Sequence, residues 1–394
     1  MRRSGRHIII VAALLAACFF GLAAAFSTAS AQDVPVHPAN LSLFYPIGTN
    51  QDPTILTYFR LNLMYGRVGY IKGVDIGTIV NRTDRDMKGI QLTGVYSQTG
   101  NDLRGAALTG GITYVGGSAR GVQVSGLVNF NRSWFRGIQY ATFFNFVQEE
   151  VIGVQLASLF NLSNGDTRYV QFASFANMAG GNFKGLQLAG GVNYVNERLH
   201  GFQAALTNFA VEFEGAQIGA LNFAGEGHGA MIGIINHSRE LDGVPVGAIN
   251  WDKTNGNADW SIYGTNMALI NTGLRTTVRR WVATAAVGTY DLEEDRDDTM
   301  FLSWYYGYMI PLGDAEKWWI TPELGYVHVM PQSSKEGKIN DLHFMLQALV
   351  RAEVRVGGIA RVFAGAGVSV RFSEYSSQAS TKTDPLFLAG VALW

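Results

Sequence analysis

The stretch GVQVSGLVN, residues 121–129, decides the fold of this 394-residue chain, because it returns as GIQYATFFN at 137–145 and GVQLASLFN at 153–161. Twelve such units open at Gly73, Gly89, Gly105, Gly121, Gly137, Gly153, Tyr169, Gly185, Gly201, Gly215, Gly229 and Gly243. The first eight intervals are 16 residues and the last three are 14. A fixed period without insertions means that each unit stacks on the next, which builds an extended object rather than a compact enzyme core. With the opening glycine numbered zero, positions +1 and +3 are apolar, as in Val122 and Val124, Val154 and Leu156, and Leu186 and Leu188. Between them stands Gln in eight copies: Gln91, Gln123, Gln139, Gln155, Gln171, Gln187, Gln203 and Gln217. Apolar-polar-apolar describes a half-buried strand. Small residues follow (Ser125-Gly126, Ala173-Ser174), then an apolar pair and an Asn: Asn81, Asn129, Asn145, Asn161, Asn177, Asn193, Asn208, Asn222, Asn236 and Asn250.

Two architectures accommodate such a unit. Each copy is one coil of a β-solenoid, or each is one strand and turn of a single large antiparallel transmembrane barrel. The change of period separates them. It removes one residue between Gly and Asn and one between Asn and the next Gly. In a continuous strand, one lost residue swings Asn to the opposite face, unless a bulge intervenes. Around a coil with a corner at the small residues, one residue leaves each side and the faces are kept. The solenoid is therefore expected over 73–250, with Gln and Asn bonding their copies in successive coils. Twelve coils at a spacing of ~4.8 Å span roughly 55 Å. Phe130, Phe146 and Phe209, with Tyr114 and Tyr194, form columns that suit either sugar stacking or an aromatic core ladder, and the core ladder is expected. The last unit loses the pattern at Pro245, as terminal repeats do.

The remaining third alternates over barrel-strand lengths. Leu342, Phe344, Leu346, Ala348, Val350, Ala352 and Val354 oppose His343, Gln347, Arg351, Glu353 and Arg355. Ala360, Val362, Ala364, Ala366, Val368, Val370 and Phe372 oppose Arg361, Ser369 and Arg371. Such strands suit a lipid-facing wall. Trp304, Tyr305, Tyr306, Tyr308, Trp318 and Trp319 supply an aromatic girdle, and Trp394 is a terminal aromatic of the kind that ends bacterial outer-membrane barrels. Seven strands are expected over 260–394. Short connections are expected near 274–277, 313–316 and 356–358, and long polar ones at 291–298, 331–341 and 373–384. Residues 57–71 supply an eighth strand, with Phe59, Leu61, Leu63 and Tyr65 alternating with Arg60, Asn62 and Met64. The solenoid then becomes a giant first loop, exposed at the cell surface, on an about 8-stranded barrel whose lumen is filled.

The ends and composition point to the same compartment. Arg2, Arg3, Arg6 and His7 precede an apolar stretch over 8–26 and a small-x-small site at Ala29-Ser30-Ala31, so 1–31 is expected to be a cleaved signal peptide. Lipidation of Cys18 within Leu15-Ala16-Ala17-Cys18, or a retained anchor, are the competing readings. Residues 32–56 form an N-terminal segment. Cys18 is the only cysteine, which excludes a disulfide scaffold in a mature chain. A formal net charge of −1 gives no reason to expect a nucleic-acid partner. An all-β, Gly-rich, aromatic-rich exported chain matches outer-membrane β-proteins.

On these units the chain resembles a bacterial surface-repeat family with tandem GVQxxGLVN units before a barrel-like tail. The matching stretches are 121–129, GLQLAGGVN at 185–193 and GAQIGALN at 215–222. The entry LSLFYPIGTN at 41–50 and the exit LDGVPVGAIN at 241–250 are also similar. The resemblance implies a cell-envelope location and supplies no catalytic, cofactor or metal residues. None is expected from the residues either. His343 beside Arg351 and Glu353 belongs to a lumen ion network, and the acidic run 291–298 lacks the spacing of a calcium loop. The expected function is non-enzymatic, namely outer-membrane anchoring of a repeat domain for adhesion, binding or envelope structure. Its partners are membrane lipid and an extracellular ligand or cell-surface partner of unassigned identity. The alternative is a wide barrel acting as a porin.

Overall fold

The computed structural model describes residues 34–289, 299–313, 317–331, 343–375 and 378–393. Residues 1–33, which include the expected signal peptide and Cys18, the run 291–298, the side chain of His343, and Trp394 lie outside them. The fold is all-β, a parallel β-solenoid of about 13 turns followed by a closed eight-stranded antiparallel barrel.

Each 16-residue coil contributes a seven-residue strand and a four-residue strand, such as Ala119–Ser125 and Val128–Asn131. Both pair in parallel with their copies one period on, Gln123 opposite Gln139 and Asn129 opposite Asn145. In the 14-residue coils the corner at the small residues is kept, but the turn from each four-residue strand into the next seven-residue strand vanishes, leaving continuous 12-residue strands Thr207–Ile218 and Leu221–Ile232. The change is absorbed in two steps, one residue at the corner between Ala204 and Thr207 and one at the register shift between Val195 and Arg198. Parallel pairing of every repeat with the next rules out the single wide barrel.

The opening glycine is needed where coils approach most closely. Gly137 has φ 138°, and a Cβ there would lie 1.9 Å from the Gly121 carbonyl oxygen. Tyr169 occupies the same position at φ 93°, a conformation that L side chains adopt only under strain.

The coil is inverted relative to an ordinary β-protein. Gln123, Gln139, Gln155, Asn129, Asn145 and Asn161 are wholly buried, whereas Ile138 is 47% and Phe172 48% exposed. Apolar packing inside comes from two other columns. One stands two residues before each glycine (Met87, Leu103, Phe135, Val151), the other two residues after each Asn position (Val115, Val147). The aromatic columns also differ from expectation. Phe130 stacks on Phe146 at 4.9 Å and Phe209 on Phe223 at 4.8 Å, all half-buried on the outer surface and outside the core.

Sealed amides need partners, and stacking supplies them. Six Gln rungs run from Gln217 back to Gln123, each Nε2 donating to the Oε1 one coil earlier at 2.7–2.9 Å. Eight Asn rungs run the other way, from Asn129 to Asn250, at 2.8–3.1 Å. The two ladders thus point their amide dipoles in opposite directions along the stack. Ala107 interrupts the Gln column, so Gln123 turns its Nε2 to Asn131 at 3.0 Å. Met231 ends the column, leaving Gln217 Oε1 without a donor.

Strand Leu56–Val68 belongs to this stack. The expected first barrel strand over 57–71 is therefore incorrect: it pairs in parallel with Tyr70–Gly77 and with the capping strand Ala39–Phe44. Arg60 occupies the Gln column, bonding both Asp75 oxygens at 2.6 Å, and Gln91 donates to Asp75 at 2.8 Å. Its alternating outer residues imitate a barrel strand because the outward positions beside the amide columns of the solenoid are apolar.

The barrel lies wholly within the carboxyl-terminal third. Its strands are Gly256–Thr265, Ile270–Val278, Trp281–Thr289, Thr299–Tyr308, Trp318–Pro331, His343–Val356, Ala360–Tyr375 and Gln378–Leu393. The first closes on the last with Trp260 opposite Leu393. The expected turn at 274–277 is strand, and the hairpin turns at Arg279-Arg280 instead. Much of the expected loop 373–384 is strand too, with Ser369 opposite Asp384.

Two substitutions test the stack. Gln155→Leu orphans Gln139 Oε1 and Gln171 Nε2, each at about 1–3 kcal/mol. The urea midpoint of the full chain should fall well below that of the exposed control Gln148→Leu; equal midpoints would remove the ladder from the stability account. Tyr169→Gly relieves the strained backbone and should raise the thermal midpoint by an amount corresponding to about 1 kcal/mol.

Candidate functional site: a filled lumen and its junction with the solenoid

Strand alternation turns one side chain in two toward the barrel axis, and the inward set carries both charge and apolar bulk. Met345, Gln347, Leu349, Arg351 and Glu353 point in, while Leu346, Ala348, Val350 and Ala352 point out. The two faces were legible as a pair in the sequence. Arg275 meets Glu353 through two bonds of 2.8 and 2.5 Å, and Thr321 donates to the same carboxylate at 2.9 Å. Arg351 meets Glu323 at 2.8 Å and lies 4.3 Å over the Phe363 ring. Arg361 pairs with Asp259. Arg275, Arg351, Glu323, Glu353 and Asp259 are almost completely buried, so the pairing is what makes these charges tolerable inside the wall.

Three arginines against three carboxylates leave this layer neutral. Beyond it, Tyr263, Phe301, Tyr305, Val327, Met345, Leu349, Phe363 and Leu386 fill the barrel toward the opposite end. Tyr305 donates to Gln347 at 2.6 Å, and Gln347 donates to Ser369 at 3.2 Å. Val282, Met309 and Trp319 pack together near the turn end. Arg275 and Asp259, both within the lumen network, were missed in the sequence. Arg275 sits in a Leu-Arg-Thr-Thr run that resembles a turn, and inward spacing from Asn271 and Gly273 was the available signal.

The rims differ. Arg279-Arg280, the connection after Tyr308 and the turn 357–359 lie at one rim, and Gly256 and Leu393 lie there too. Connections 290–298 and 332–342 join strand ends at the other rim. The solenoid leads into the barrel at the short-turn rim, through Ile249–Asp252 into Gly256.

Its last coil also docks on the outer wall. Asn250 N donates to Thr276 Oγ1 at 3.1 Å, Trp304 Nε1 to the Gly247 carbonyl at 3.2 Å, and Arg279 pairs with Asp242 at 2.8 Å. Outward-facing Thr276, Val278 and Ala283 are buried, and Val278 joins the apolar core of the last coils. The open edge of the solenoid is thus covered by barrel wall.

Elsewhere the solenoid offers a shallow open groove over Phe172, Leu188, Gly190 and Ile218, whose lining carries no titratable group. Among the described residues, no three His, Cys, Asp or Glu side chains converge as metal ligands.

The lumen pair predicts strong coupling. Glu353→Leu alone leaves Arg275 buried and uncompensated and should cost about 3–5 kcal/mol. Adding Arg275→Met should return most of it in a double-mutant cycle read by unfolding midpoint. Additive losses would show that the pair is not the unit of lumen stability. No protein-family profile, curated protein or solved structure matches this chain.

Proposed function

We propose that this chain is a non-enzymatic outer-membrane protein in which a plugged eight-stranded barrel anchors the solenoid to the envelope. The supporting observation is the wall itself, with exposed Ile262, Leu302, Leu324, Leu346, Val350, Val368 and Phe387 outside and paired arginines inside. An apolar outer band over a neutral, filled interior is what a small lipid-spanning barrel requires. A lumen crossed by Arg275–Glu353 and Arg351–Glu323, then packed with aromatic residues, suits an anchor rather than a channel.

The difference between the rims supports one side for the solenoid. Bacterial barrels place short turns at the periplasm and long connections outside. The solenoid joins the short-turn rim, so it belongs to the periplasmic side, as an element of envelope structure or of binding within it. Surface display rested on the solenoid being a first loop between barrel strands, and strand Leu56–Val68 stacks in the solenoid instead.

A protease-cleavable tag inserted at Gly180-Gly181 tests the topology. It should resist protease in intact cells and be cut after the outer membrane is permeabilised. Cleavage in intact cells would reverse the orientation. In planar bilayers the purified chain should insert without steady ion conductance, and stepwise conductance would contradict the anchor reading.

A further inference from the structure

The outer surface of the solenoid has a pattern that membrane anchoring by the barrel leaves unexplained. Positions +1 and +3 are apolar in every coil, and the corner residue and the pair around Asn are apolar in most, with Arg82, Thr207 and His237 as exceptions beside Asn. Val95, Leu127, Phe143, Leu159, Phe175, Leu206 and Ile234 make a corner ridge, and Phe143, Phe175, Leu206 and Ile234 are 42–61% exposed. Nine residues of perimeter at ~3.3 Å, over twelve coils at ~4.8 Å, give an apolar flank on the order of 1,500 Å². Soluble monomers rarely expose more than a few hundred Å² in one patch.

Charge borders this flank on one side. The residue before the opening position is Lys72, Lys88, Arg104, Arg120, Arg136, Ile152, Arg168 and Lys184 in the first eight coils, all exposed but Ile152, and His200, Glu214, His228 and Asp242 in the four coils nearest the barrel. In-register pairing stacks them into one column. A Lys/Arg-Gly-apolar triplet repeated every 16 residues was visible in the sequence as a basic edge beside an apolar face.

The junction orients this surface. Asp242, in the column of the basic residues, meets Arg279 at the rim turn, while Gly247, at the apolar corner, meets Trp304 four residues up its strand from Tyr308. Four residues at ~3.3 Å on a wall tilted by about 40° place the corner ~10 Å above the rim. The solenoid covers Thr276 and Ala283. On other strands a comparable stretch above the same rim exposes Trp260, Ile262, Leu324, Val350, Val362 and Phe387. A bilayer that wets the wall on those strands also meets the solenoid, apolar corner inward and, in the first eight coils, the basic residues at the level of the rim.

We propose that the solenoid lies in the bilayer leaflet beside the barrel, its apolar corner and flanks among acyl chains and its basic column against anionic phospholipid headgroups. This rests on the barrel reading. The partner is lipid because the apolar wall of the barrel continues onto the solenoid flank and the basic edge of the first eight coils stands at headgroup level. The depth of ~10 Å matches interfacial elements, which bury apolar faces about 5–10 Å, and basic residues at such a surface gain from anionic lipid.

The test uses the full chain in vesicles of phosphatidylethanolamine and phosphatidylglycerol. Single spin labels are placed through Phe143→Cys, Ile234→Cys, Asn164→Cys and Val350→Cys, each with Cys18→Ser. Collisional accessibility to oxygen and to a water-soluble nickel chelate reports depth. The ratio of oxygen to nickel accessibility at 143 and 234 should be severalfold that at 164, and close to the barrel-wall value at 350. Water-like values at 143 and 234 with 350 still deep would overturn the inference and leave the anchor intact. Water-like values at all four positions would instead sink the anchor. Shielding at 143 from both reagents, with spin–spin broadening that disappears on dilution with unlabelled chain, would assign the flank to a second copy and overturn the lipid assignment. Replacing phosphatidylglycerol with phosphatidylcholine should make 143 shallower, and insensitivity to that change would overturn the headgroup half of the inference.

Discussion

A side-chain amide sealed from water must find a partner for its donors and acceptor, and in this chain the partner is the same amide one coil away. The fixed period follows, because an insertion would move Gln155 off Gln139 and leave buried groups unpaired. The close approach of coils follows as well, which explains glycine at φ 138° where the Gly121 carbonyl stands against Gly137. With the amides inside, alternation turns Ile138, Tyr140 and Phe172 outward, so an apolar exterior is a consequence of the polar ladder. Antiparallel amide directions in the Gln and Asn columns also avoid one long summed dipole along the stack.

Much of this was legible in the residues. The 16-residue rhythm and the Gln and Asn columns led to stacked ladders, and the loss of one residue on each side of Asn favoured coils over a wide barrel. The inversion was not legible from alternation alone, because a two-faced strand does not say which face is inside. That choice depends on the columns of Phe135 and Val147, which close the interior around the amides and are read only once the coil is closed. Strand Leu56–Val68 was misplaced for the same reason. Its outer Phe59, Leu61 and Leu63 look like a lipid-facing row, and its buried Arg60 finds Asp75 only in the stack. In the barrel, Gly256–Thr265 and Ile270–Val278 were merged because the turn Asn266-Met267-Ala268-Leu269 contains neither Gly nor Pro. The lumen was legible through Arg351 and Glu353, while Arg275 and Asp259 stood in stretches with a weaker pattern.

The two modules solve each other's problem. A solenoid ends in an open edge of unpaired backbone groups. Here one edge is covered by Ala39–Phe44 and the other by the barrel wall through Asn250, Gly247 and Asp242. A small barrel has a lumen too narrow for solvent, and three ion pairs with an aromatic layer fill it. The division of labour proposed for the molecule is an anchor that conducts nothing and a long two-sided surface held beside it.

The fold depends on the amide ladders being inside, and side-chain hydrogen exchange measures that directly. In the full-length protein, with side-chain amides of Gln139, Gln155 and Gln171 resolved by NMR, exposed Gln148 is the internal reference. Exchange at the three ladder amides slower by orders of magnitude than at Gln148 is the predicted result. Exchange at the rate of Gln148 would put the amides in water, the apolar columns in the core, and the coil the other way out.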